Sequence, residues 1–105
     1  MPKVIFTIEY EIPADKKDDY ISVIKELKNL LNSEGLENYS VYETKGKNHH
    51  YQEQYTFNSV EAYEAFDDDQ SERINLLINK LNDMTVEGST RYSTLYELLD
   101  NNNSQ

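Results

Sequence analysis

From Lys3 to Ile12 apolar side chains fall at every second residue. Val4, Phe6, Ile8, Tyr10 and Ile12 share one face, while Ile5, Thr7, Glu9 and Glu11 share the other. A period of two marks a strand with one buried face. Pro13 stops it, and the spacing then changes. Tyr20, Val23, Ile24, Leu27, Leu30 and Leu31 recur at three and four residues, which predicts a helix to about Asn32. Asp15 is expected as its N-cap, with Asp18 completing a rough capping box. Gly35 is expected to supply the left-handed position that ends this helix, with Leu36 folding back against it. The order in which these two periods alternate along the chain is what most narrows its fold.

The period of two returns over Glu37 to Lys45, with Tyr39 and Val41 on one face and Ser40, Tyr42 and Thr44 on the other. It recurs from His49 to Phe57, and the turn Lys45, Gly46, Lys47, Asn48 joins the two runs as a hairpin. Ser59 is a good N-cap for a helix opening Val60, Glu61, Ala62, Tyr63. The run Asp67 to Asp69 lacks the glycine and closing glutamate of a calcium loop and is expected to break that helix. Ser71 can cap a continuation with the apolar stripe Ile74, Leu77, Ile78, Leu81 and Met84. After Glu87 to Ser89, residues Thr90 to Leu98 alternate again, with Tyr92, Thr94, Tyr96 and Leu98 on one face.

Strand, helix, strand, strand, helix, strand is the split βαβ order of an α+β, ferredoxin-like domain with a four-stranded antiparallel sheet. Two helices cover one face of such a sheet. The other face carries Ile5, Tyr42, Leu95 and Leu99, and a second copy of the chain is its simplest cover, so a homodimer is expected.

At 105 residues the chain supports one core, and a single domain is expected over residues 1–100 with 101–105 as a disordered tail. Twenty acidic residues against ten basic ones give a charge of -10, which argues against nucleic acid and anionic membrane as partners. Cysteine is absent, removing disulfides and thiolate chemistry. No apolar core of a signal peptide follows Met1 and no run reaches membrane-spanning length, so a cytoplasmic location is expected. With three glycines and no GxSxG, HExxH, phosphate loop or dinucleotide fingerprint, the familiar hydrolases, kinases and dehydrogenases drop out.

The stretches VIFTIEYEI, GLENYSVYE, YQEQYTF, SVEAYEAF and the terminal STLYEL together resemble the dimeric α/β-barrel superfamily, especially its antibiotic-biosynthesis monooxygenase branch. The resemblance implies a dimer whose sheets meet as a barrel, with a pocket in each protomer between sheet and helices. It also implies small-molecule chemistry, including cofactor-independent oxygenation of aromatic substrates and haem degradation. Related proteins often carry Glu at the position of Glu53. Many place a histidine after the EAYEA stretch, where this chain has Phe66.

The third strand carries the sharpest chemical candidates. His49, Tyr51, Glu53, Tyr55 and Phe57 alternate onto one face, and a carboxylate packed there among rings has its pKa raised toward the range of a general base. Glu53, Tyr51 and His49 are therefore the catalytic candidates, beside the bland alternative of a buried Glu satisfied by a tyrosine hydroxyl. Nine tyrosines against three phenylalanines suit a half-polar cavity. Tyr10, Tyr39 and Tyr92 are the candidates for binding an aromatic ligand, or else core and interface rings. His49 and His50 point to opposite sides of a strand and, beside a turn, read as a solvated pair rather than metal ligands. Glu9 and Glu11 stand about 7 Å apart, a spacing at which two carboxylates can share acid and base roles, and read rather as partners of Lys or Arg91 at a dimer interface. No metal or cofactor is expected, and haem degradation is disfavoured by the acidic balance and the lack of an axial histidine. Two functions stand side by side: a monooxygenase-like enzyme on an aromatic or polyketide-like compound, and a non-catalytic dimeric binding or regulatory protein.

Overall fold

The computed structural model describes residues 2–66 and 71–99. Its elements follow the order read from the periodicities: β1 Val4–Glu11, α1 Lys17–Leu30, β2 Leu36–Glu43, β3 His50–Phe57, α2 Val60–Ala65, α3 Glu72–Met84 and β4 Arg91–Tyr96. The four strands form one antiparallel sheet in the order β2-β3-β1-β4. This is the ferredoxin-like α+β arrangement. The predicted helix break at Asp67 to Asp69 and the tail at 101–105 lie outside the described residues.

The helices lie on one face of the sheet because only one face is apolar along every strand. On β3 burial alternates without exception, hiding Tyr51, Glu53, Tyr55 and Phe57. Helix α1 contributes Tyr20, Val23 and Leu27, and α3 contributes Ile74, Leu77 and Leu81, to the same core. Ser59 accepts from the Ala62 amide at 3.1 Å, and Ser71 from the Ile74 amide at 3.2 Å, so both predicted serine caps form. Helix cover stops short of the β4 edge, where Tyr92 and Tyr96 are 65% and 57% exposed. On the opposite face Tyr42 and Leu95 are about half exposed. No described helix is long and apolar enough to cross a membrane.

Several local expectations are corrected. Asp15 does not cap α1. Pro13 instead opens a single 3-10 turn over Ala14–Lys16, and its carbonyl accepts the Lys16 amide at 2.9 Å, a donor that a side-chain cap would otherwise serve. Asp18 and Asp19 then fall in the first turn of α1, where their charge favours the helix dipole. Gly35 is left-handed as expected, at φ 85°, but it serves a β-turn in which the Leu36 amide reaches the Ser33 carbonyl at 3.0 Å. Helix α1 has already ended, with Leu31 extended. The glycine is needed for a second reason: a Cβ built there would stand 2.4 Å from the Ala62 Cβ. Strand β2 carries an irregularity between Leu36 and Asn38, so Glu37 is the extra residue. Strand β4 ends at Tyr96, leaving Leu98 92% exposed beyond the sheet.

Candidate functional site

Antiparallel register gathers the polar groups of the core. Tyr51 faces Tyr10 across β1, Tyr55 faces Tyr39 across β2, and Glu53 lies between them on the same face, opposite Ile8 and Val41. Residues two apart on a strand stand about 7 Å apart, so the tyrosines above and below Glu53 reach it with their phenol arms. Tyr20 enters from α1, its ring centroid 4.8 Å from that of Tyr51. The result is a carboxyl enclosed by tyrosines, with Glu53 only 1% exposed.

Within this cage the hydroxyls are divided unequally. Tyr39 donates to Glu53 Oε1 at 2.7 Å, and Tyr55 donates to the same oxygen at 3.3 Å. Tyr10 and Tyr20 share a hydrogen bond of 2.8 Å. Glu53 Oε2 and the Tyr51 hydroxyl are buried with no hydrogen-bond partner. Burial pushes the Glu53 carboxyl above its ordinary range, and the hydroxyls of Tyr39, Tyr10 and Tyr55 pull the other way. Burial, reinforced by the nearby Glu53 charge, also pushes Tyr10, Tyr20 and Tyr39 up, so they remain neutral donors at physiological pH. Burial thus favours the protonated form of a carboxyl that sits within reach of several phenol hydroxyls.

Of the candidates read from the sequence, the structure brings Glu53, Tyr51, Tyr10 and Tyr39 together. His49 is not among them. It sits in the turn before β3 at φ 67°, so the strand begins at His50 and the alternation that would have carried His49 onto the Glu53 face is broken one residue early. Tyr92 shares the helix side of the sheet but lies at its edge, stacked on Phe6 at 6.2 Å and separated from Glu53 by Ile8. Tyr20 is the member that periodicity alone placed only in the core. A tyrosine on the buried stripe of a helix, rather than leucine, was the signal that a hydroxyl had to be met inside. Phe66 packs edge-on against Tyr55 and Phe57, at 5.4 Å and 5.2 Å, and is an apolar wall.

Glu9 is exposed and lies opposite Arg91 in the register, whereas Glu11 faces His50, 3.8 Å away. Among the described residues no group of three or more histidines and carboxylates is placed to hold a metal ion. An open cleft of about 430 Å3 lies at the end of the sheet and is walled in part by Tyr10 and Tyr51.

No protein-family model matches the sequence, and no curated protein does. Solved structures do match the fold. A conserved protein from Methanosarcina mazei superposes with a TM-score of 0.78 at 13% identity, covering 92% of this chain and 94% of that one. A variant of SnoaB, a cofactor-independent oxygenase from Streptomyces nogalater, gives 0.74 at 9% identity, covering 93% and 95%. A Nitrosomonas europaea protein provisionally named an antibiotic biosynthesis monooxygenase gives 0.77 at 7% identity, covering 91% and 90%. The likeness is one of structure, spread over nearly the full length of both partners. The chain therefore has the ferredoxin-like fold of the antibiotic biosynthesis monooxygenase-like structures.

Proposed function

We propose that the chain is a small-molecule-binding protein of the cytoplasm. It works as a homodimer and uses Glu53 as the proton acceptor in cofactor-independent oxygenation of an aromatic or polyketide-like compound. The observation that carries this reading is the state of Glu53: one carboxylate oxygen is held by Tyr39 and the other is buried without a partner. An unsatisfied buried acceptor costs about 1–3 kcal/mol and is open to a ligand's proton. In this reading Tyr39 fixes the carboxyl, while Tyr51 and Tyr10 orient the substrate. A phenol or enol gives its proton to Glu53, and the electron-rich anion is the species that meets dioxygen. The likeness to SnoaB, named as a cofactor-independent oxygenase, supports the assignment. The dimer is supported by the half-exposed Leu95 and Tyr42 on the face that no helix covers.

A specific observation favours a second reading. The rings of Tyr10, Tyr20, Tyr39, Tyr51 and Tyr55 close around Glu53, so a ligand reaches the carboxyl only when a ring moves. A permanently filled cage fits a non-catalytic dimeric binding or regulatory protein. Oxygen consumption in the presence of a panel of polycyclic phenols, compared between the wild type and Glu53→Gln, separates the two. Uptake that disappears in the variant supports the enzyme. No uptake and no bound ligand leaves the non-catalytic protein.

A further inference from the structure

The cleft at the end of the sheet is braced on three sides. The Ile12 amide donates to the His49 carbonyl, the Thr44 amide to the His50 carbonyl and the Val86 amide to the Glu11 carbonyl, each at 2.9 Å. Ser89 Oγ accepts from the Glu11 amide at 3.1 Å and donates to the Val86 carbonyl at 2.6 Å. These bonds tie the end of β1, the β2–β3 turn and the loop before β4 into one rim. A rim already fixed loses little freedom when a ligand arrives.

Two side chains converge inside it. His50 Nε2 stands 3.8 Å from Glu11 Oε1. That is too long for a direct hydrogen bond, yet short enough for one donor placed between them to serve both. The other ring nitrogen, Nδ1, lies 2.9 Å from the Asn48 carbonyl. A carbonyl only accepts, so Nδ1 carries the hydrogen, and in the neutral ring Nε2 offers a lone pair toward Glu11. With the ring neutral, these two lining groups are both acceptors. Glu9 and Glu87 add negative charge to the lining, against Lys47 and Arg91. Arg91 is already turned onto its own loop, with Nη1 donating to the Gly88 and Thr90 carbonyls. Tyr51 borders the cleft, while alternation along β3 carries its side chain to the helix-covered face, opposite to His50.

We propose that this cleft binds a small molecule through a protonated primary amine, which donates to His50 Nε2 and Glu11 Oε1 together. A charged donor between two acceptors forms the stronger class of hydrogen bond, and the excess of carboxylates favours a cation over an anion. The site is separate from the chemistry assigned to Glu53. Along β1 it lies about 20 Å from Ile5, at the end of the open sheet face where Tyr42 pairs with Gln52 two residues from His50.

Titration of 15N-labelled protein with benzylamine, with benzyl alcohol and benzoate as matched controls, tests the proposal. Benzylamine is expected to shift the amide signals of Glu11, His50, Gly88 and Ser89 saturably and to bind about tenfold or more tighter than the alcohol. Glu11→Gln and His50→Ala are each expected to weaken it by a similar factor. Both side chains are more than a third exposed, and a folded spectrum for either variant suffices for the comparison. The proposal fails if the alcohol binds as well as the amine, if benzoate binds better, if no saturable shift appears at these residues, or if the folded variants bind benzylamine unchanged.

Discussion

Replacing Glu53 with Gln is expected to make the protein more stable at neutral pH. Glutamine keeps a carbonyl oxygen for the Tyr39 hydroxyl, which now lies 2.7 Å from Oε1. It exchanges the unpartnered Oε2 for a neutral amide and removes a group that must be desolvated when charged. Burial raises the folded carboxyl above its ordinary pKa of 4.5. The folded protein therefore keeps a proton that the unfolded chain has released, and stability falls as pH rises. The contribution is complete below the unfolded value, declines by about 1.4 kcal/mol per pH unit up to the folded value, and is level beyond it. Glutamine has no such decline. The difference in unfolding free energy, variant minus wild type, should thus climb as the pH rises above about 4.5 and level off at higher pH. For a domain of this size each kcal/mol moves Tm by about 4–8 °C. Urea unfolding followed by tyrosine fluorescence between about pH 4 and 8 measures the difference directly. A variant less stable than the wild type at pH 7, by an amount that does not change with pH, would refute the reasoning. It would mean that an ionised Glu53 is well paired and holds the core together.

Three further outcomes are expected. Gly35→Ala should lose about 2–3 kcal/mol in urea unfolding, because φ 85° disfavours any Cβ and this one meets Ala62 at 2.4 Å; a loss below about 0.5 kcal/mol would mean that β2 and α2 separate easily. Tyr39→Phe should cost about 1–3 kcal/mol and Tyr51→Phe within about 1 kcal/mol of nothing, since only the first removes a hydrogen bond; equal costs in thermal unfolding would contradict that division. Leu95→Glu should turn a dimer into a monomer in light scattering at micromolar concentration, and a wild type already monomeric there removes the dimer.

The fold was legible because every strand has one apolar face and each helix a stripe, so period alone separates them. Ser59 and Ser71 were equally legible, since a serine before a helical stripe has one obvious acceptor role. Asp15 was misleading because Pro13 supplies the same service through its backbone. In the site, Glu53 and Tyr51 followed from alternation on β3, and Tyr39 and Tyr10 from the hydrophobic faces of their own strands. His49 falls outside the strand because a strand's first residue is decided by the turn, and a left-handed His49 is a local feature that periodicity does not carry. Tyr92 lies apart from the cage for a different reason. Its face was right, but the helices do not extend over β4, and helix reach is a tertiary property.

The same division of hydrogen bonds bears on how Glu53 could be reached. Tyr39 is tied to Glu53, and Tyr10 is tied to Tyr20. Of the cage rings, Tyr51 keeps its hydroxyl unpartnered. Moving Tyr10 or Tyr39 breaks a buried hydrogen bond and strands its partner, whereas moving Tyr51 gives up ring packing alone. The cheapest opening toward the carboxyl is therefore past the Tyr51 ring. A catalytic Glu53 needs that path, and a purely structural Glu53 gains nothing from leaving it unanchored.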